Sequence, residues 1–261
     1  MLKRWISLIL CLCLMLCITA CGKKKEAPRN EEMNVIQEQG TLRIGVTQAP
    51  PYSVKGEDGK YSGFDIELAT RVCQKLELKP EFVEVAWSDR MAALMQGRVD
   101  CLWSGLTAVS QLRETVEFSQ TYLASKPVLV VLQENAEDRN FSGKNVAAEV
   151  DSACQSAVKV CLPESKLLAV ENQMTALEAL QEGKAAAAVV DRHVALRAAA
   201  QSEDLLILED VELGSHEMAV AMRINSDLIP AVNKALTELE QEGVMNSLAE
   251  TYGMNDSLIV G

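Results

Sequence analysis

"MQGRVDCLWSG" (residues 95–105) and "LQEGKAAAAVVD" (residues 180–191) follow one pattern. Each ends a helix, passes through a glycine and a basic residue, enters a strand and closes on polar residues. The echo implies two lobes of similar build, each presenting polar groups at a strand's carboxyl end, where open α/β sheets bind ligands. Around the first stretch, "TLRIGV" (41–46) reads as a strand. "GFDIELATRVCQKLEL" (63–78) sets Phe64, Leu68, Val72, Cys73 and Leu76 on one helical stripe. "PEFVEV" (80–85) is a strand and "SDRMAALMQG" (88–97) a helix closed by Gly97. Around the second, "PVLVVL" (127–132), "KNVAAEV" (144–150), "KLLAVE" (166–171) and "DLLILED" (204–210) read as strands. "QMTALEALQEG" (173–183) and "RHVALRAAAQ" (192–201) read as helices, "EMAVAMRI" (217–224) as one more strand, and a long helix fills 226–243. The alternation predicts an α/β fold, parallel sheets with helices on both faces.

The first residues point outside the cytoplasm. Lys3 and Arg4 precede the apolar "WISLILCLCLMLCITA" (5–20), 16 residues long, short of the ~20 a bilayer-spanning helix needs and ending in small residues as signal peptides do. "ITAC" resembles the lipobox of bacterial lipoproteins, which implies cleavage after residue 20 and a lipidated Cys21. "GKKKEAPRNEE" (22–32) is polar and without period, and residues 21–39 read as a flexible tether. The chain carries 37 acidic and 25 basic residues, a formal net charge of −12, which argues against nucleic acid as a partner. Beyond Cys21, the cysteines are Cys73, Cys101, Cys154 and Cys161. Cys73 and Cys101 read as buried thiols; Cys154 and Cys161 can bond only if a helix ends between them. With no CxxC and only His193 and His216, no metal site is expected, and no cofactor.

"GTLRIGV" (40–46), "PPYSVKGEDGKYSGFDIELA" (50–69), "AWSDRMAALMQGRVD" (86–100), "SGLTAVSQLRETVEFSQTYL" (104–123), "ALEALQEGKAAAAVVD" (176–191) and "AVNKALTELEQEGVMNSLAETYG" (231–253) resemble, in order, the family 3 extracellular solute-binding proteins, amino-acid receptors of ABC importers. The resemblance implies a two-lobed periplasmic-binding-protein-like fold of type II, with two hinge strands and a ligand cleft between the lobes. Lobe one would take residues 40–125 and 218–255, and lobe two 126–217. It also implies a polar amino acid or close analogue as ligand, a membrane permease as partner, a monomer and no enzyme activity. Two rival readings stay open: a cyclohexadienyl-dehydratase-like enzyme on the same fold, and a ligand-sensing subunit for a separate membrane partner.

Carried over by position, Arg113 would grip the ligand carboxylate, with Ser104, Gly105 and Thr107 supplying hydroxyl and backbone groups. Ser152 and the amides of Ser152 and Ala153 would complete that seat, Asp191 would take the ammonium, and Trp87 and Tyr52 would wall the cleft. Each has a plainer alternative: Arg113 as a surface arginine, Asp191 and Ser152 as helix caps, Trp87 as core. Trp103 reads as packing, and Asp65 as a structural acid at a helix start. The chain departs from the family between Gly105 and Arg113, one residue longer than usual. Ungapped, Leu112 takes the arginine's place and Val109 a ligand threonine's; shifted by one, Ser110 caps the helix that carries Arg113. The shifted reading is the expectation.

Overall fold

The computed structural model describes residues 30–259, apart from the side chains of Ser110 and Gln111. The expected signal peptide and the lipidation at Cys21 lie outside them. The chain opens with α1 (Glu32–Gln39), β1 (Thr41–Val46), a small hairpin β2 (Val54–Lys55) and β3 (Tyr61–Ser62), α2 (Phe64–Lys75), β4 (Lys79–Glu84), α3 (Arg90–Met95) and β5 (Cys101–Leu102). A 3₁₀ segment (Ser110–Glu114) precedes β6 (Val116–Phe118), β7 (Leu123–Ser125) and β8 (Pro127–Leu132). The second series is β9 (Asn145–Glu149), α4 (Ala153–Cys161), β10 (Lys166–Val170), α5 (Gln173–Gln181), β11 (Ala187–Asp191), α6 (Arg192–Gln201) and β12 (Leu205–Leu208). β13 (His216–Met218), β14 (Ala221–Arg223), α7 (Leu228–Gln241) and α8 (Val244–Tyr252) complete it.

Two five-stranded sheets of one design account for the sequence echo: β4-β1-β5-β14-β6 and β10-β9-β11-β8-β12. In each, the first three strands are parallel and the last two join antiparallel. The central strands of the second sheet are apolar on both faces, and all of β11 is buried, as sheets covered on both sides require. The chain crosses between the sheets through β7 and β13, paired antiparallel with Ser125 opposite His216. α7 and α8 pack on α2, so the carboxy-terminal helices return to the first lobe. An apolar cluster runs from Ile44 through Leu123 and Met218 to Val190, joining the lobes through the hinge. Among the described residues, no helix is long and apolar enough to cross a membrane.

Three expectations need correction. The last eight residues of the expected tether form α1. Ile36 is buried, Glu32 pairs with Arg223 at 2.6 Å, and the Met33 amide donates to Asp227 at 2.9 Å. One buried apolar side chain leaves no stripe to read, and tertiary contacts hold the helix. "EMAVAMRI" is two strands rather than one, because β13 pairs in the hinge and β14 in the first sheet. Of the strand expected within "MQGRVDCLWSG", read as "RVDCLW" (98–103), only Cys101 and Leu102 join the ladder. Cys154 and Cys161 share the unbroken α4, and the four cysteines among the described residues are free thiols.

Candidate functional site

The carboxyl ends of the parallel strands meet between the lobes, around a narrow space partly open to solvent. On the first lobe, β5 runs out into Trp103, which is fully buried, then Ser104 and Gly105. Asp65, in the first turn of α2, reaches this loop. Its carboxylate accepts from the Gly105 amide at 2.5 Å and from the Tyr122 hydroxyl at 2.9 Å, and burial pushes its pKa up to about 7. Gly105 sits at φ +60°, and a Cβ there would come within 3.0 Å of the Tyr52 ring, so glycine is required on both counts. The structural role read for Asp65 is thus to fix the loop that floors the cleft.

On the second lobe, β9 ends at Glu149 and turns through Asp151, at φ +53°, a left-handed position that Asp tolerates better than most residues. Ser152 caps α4: its hydroxyl accepts from the Gln155 amide at 3.2 Å and donates to the Glu149 carbonyl at 2.7 Å. Glu149 and Asp191, at the ends of two neighbouring strands, are both buried. Burial pushes the Glu149 carboxyl up to about 8; Arg90 and Gln173 oppose that and Asp191 adds to it.

Asp191 goes the other way. Burial alone would raise it, but hydrogen bonds and charge from His193 and His216 hold it well below the ordinary carboxylate range. Oδ1 accepts from the Tyr52 hydroxyl at 2.5 Å and the His193 amide at 3.0 Å, and Oδ2 meets His216 Nε2 at 3.0 Å. A carboxylate has about four acceptor sites, so room remains for one further donor. The Nδ1 of His216 is buried without a partner among the described residues.

The lobes touch directly across the cleft. Trp87 Nε1 donates to the Val150 carbonyl at 2.7 Å. Arg90, buried, lies over the Trp87 ring at 3.7 Å and donates to the Trp87 carbonyl and, at 3.1 Å, to that of Asp151. Its Nε has no partner among the described residues.

Of the expected site residues, Trp87, Gly105, Thr107, Ser152, Ala153 and Asp191 line this space together. Tyr52 does not wall the cleft: it is fully buried behind Asp191, bridging it to His193 Nδ1 at 2.9 Å. Ser104 is buried beside the cleft, its hydroxyl donated to the Thr47 carbonyl at 2.8 Å. Arg113 is exposed, with its guanidinium 5.2 Å from the Phe118 ring, while Leu112 and Val109 line the cleft. The favoured register of this loop is therefore corrected to the ungapped one: the 3₁₀ turn presents Leu112 inward and carries Arg113 past the site. The Ser110 side chain lies outside the description.

Arg90 and His216 were not expected here, and Glu149 was not among the expected ligand-binding residues. A signal for Glu149 existed, since "VAAE" and "AVVD" both end a buried strand on an acid. Arg90 stands three residues after Trp87, one helical turn, which suits stacking. Nothing local marks His216.

Comparison with known proteins gives a consistent result. The model of the bacterial extracellular solute-binding proteins, family 3, matches residues 42–255. The chain is 27% identical over 228 residues to the L-cystine-binding protein TcyJ of Escherichia coli (strain K12), covering 84% of this chain and 85% of that protein. It superposes with TM-score 0.78 at 27% identity on an amino acid ABC transporter substrate-binding protein from Streptococcus pneumoniae bound to L-arginine. That match covers 88% of this chain and 100% of that one. An ancestral amino acid-binding protein, a precursor of cyclohexadienyl dehydratase, superposes with TM-score 0.77 at 29% identity, covering 85% and 98%.

Proposed function

The chain belongs to the bacterial extracellular solute-binding proteins, family 3, and from that premise we propose that its interlobe cleft captures an amino acid or close analogue. Delivery to an ABC permease and anchoring to the membrane through a lipidated Cys21 are parts of the same proposal. The observation that carries it is Asp191: a buried carboxylate at a strand end, kept ionised by three donors, with an acceptor site left for a ligand ammonium. Around it, Thr107 and Ser152 offer polar groups, and Leu106, Val109, Leu112 and Met218 offer apolar wall, the mixture expected of a small-molecule site. Hinge closure about β7 and β13 gives a permease a loaded form to distinguish from an empty one. The test is a thermal-shift screen of amino acids, since a ligand of the native state raises the melting temperature by mass action. The ligand recovered afterwards, analysed by mass spectrometry, is expected unchanged. A converted product would instead favour an enzyme.

A further inference from the structure

Glu149 differs from Asp191 in what the fold provides for it. It lines the cleft, is buried to 6% exposure, and makes no ion pair among the described residues. Its side-chain partner is the neutral amide of Gln173. Arg90 acts on it through its field: Nη1 and Nη2 donate to the carbonyls of Trp87 and Asp151, and neither is bonded to Glu149. The charged or titratable groups around Glu149 are thus Arg90 on α3, Asp151 beyond β9, Cys154 on α4, Asp191 on β11 and His216 on β13. No lysine or arginine lines the cleft among the described residues. A buried carboxyl with no cation in contact with it either stays protonated or waits for one from outside.

A neutral amino acid brings one cation, its α-ammonium, and Asp191 is placed to accept it. We propose that Glu149 is the specificity-determining residue of the cleft and selects ligands whose side chain ends in a cation: an ammonium, guanidinium or imidazolium. This rests on the reading of the cleft as an amino-acid site. The ligand's second charge ionises Glu149, so each molecule bound releases a proton from the buried carboxyl. His216, whose Nδ1 has no partner among the described residues, lies on the same wall.

The experiment is calorimetric titration of the full chain with arginine and lysine against their neutral counterparts citrulline and glutamine, at pH 6, 7 and 8. The cationic ligands are expected to bind at least tenfold tighter at pH 8, with affinity rising from pH 6 as Glu149 ionises. Glu149→Gln is expected to lower arginine affinity by about 30-fold or more, change citrulline affinity less than about threefold and remove the pH trend. Glu149→Asp, which keeps the charge, retains the preference. Citrulline or glutamine binding as tightly as arginine and lysine in the wild type overturns the inference and leaves the amino-acid reading standing, as does a preference that survives Glu149→Gln. Binding of none of the four, with another amino acid captured, also overturns it. A chain that binds no amino acid refutes the underlying reading and the inference with it.

Discussion

Tyr52 and Asp191 belong to different lobes, and the phenol of one donates to Oδ1 of the other at 2.5 Å with both side chains buried. The bond ties the loop after β1 to the strand end that faces the cleft, and His193 extends it toward the hinge through Ser125. Ligand site and hinge therefore share one polar network.

Removing that hydroxyl tests the network. Tyr52→Phe leaves Asp191 two donors instead of three, and hydrogen bonds to charged groups contribute about 1.5–3 kcal/mol. Urea unfolding is expected to show a loss of about 2 kcal/mol with an unchanged denaturant slope. A midpoint within experimental error of wild type counts against the network.

Trp87 reports closure. Its indole bridges to Val150 across the cleft, whereas Trp103 is fully buried within the first lobe. Ligand is expected to change tryptophan emission in wild type and in Trp103→Phe, and not in Trp87→Phe. A full response from Trp87→Phe sinks the assignment.

Two arginines separate placement from sequence analogy. Arg113 is exposed and outside the cleft, so Arg113→Gln is expected to leave ligand affinity within about twofold, as for surface positions generally. Arg90→Gln removes the contact to the Asp151 carbonyl and the stack on Trp87, and affinity is expected to fall by about tenfold or more. Titration of both variants with one ligand decides it, and the reverse order restores Arg113 to the site.

The ligand-free protein is expected to lose stability from about pH 5 to pH 8. Asp65 and Glu149 have folded pKa values raised to about 7 and about 8, so the folded chain holds protons that the unfolded chain has released. Each contributes a downward slope of up to roughly 1 kcal/mol per pH unit in that window. Asp191, with its pKa depressed, contributes stability at neutral pH that is lost only in acid below its ordinary range. Unfolding at a series of pH values should show a shallower decline for Glu149→Gln; an unchanged slope means Glu149 is ionised in the empty cleft.

Legibility in the sequence followed the physics of each segment. β1 and β8 take the limits read from the sequence, 41–46 and 127–132, while β11 keeps only the last five residues of its mostly apolar run. α1 was hidden because one buried residue, Ile36, makes no periodic stripe. Asp191 and Ser152 could be assigned double duty, since a cap and a cleft group use different atoms. Arg113 failed because a 3₁₀ turn rotates side chains by a third of a circle per residue. A single step of register then decides between Leu112 and Arg113, which composition cannot. Tyr52 has the polar tip of a wall residue, yet only the tertiary fold puts that tip behind Asp191.

The most direct test of the central claim is calorimetric titration of the standard amino acids into the wild-type chain and into Asp191→Asn, with circular dichroism confirming that the variant is folded. The account predicts at least one amino acid bound with a micromolar Kd, about 8 kcal/mol, and a loss of about 100-fold in the folded variant. No binding by any amino acid, or equal affinity in the two proteins, contradicts it.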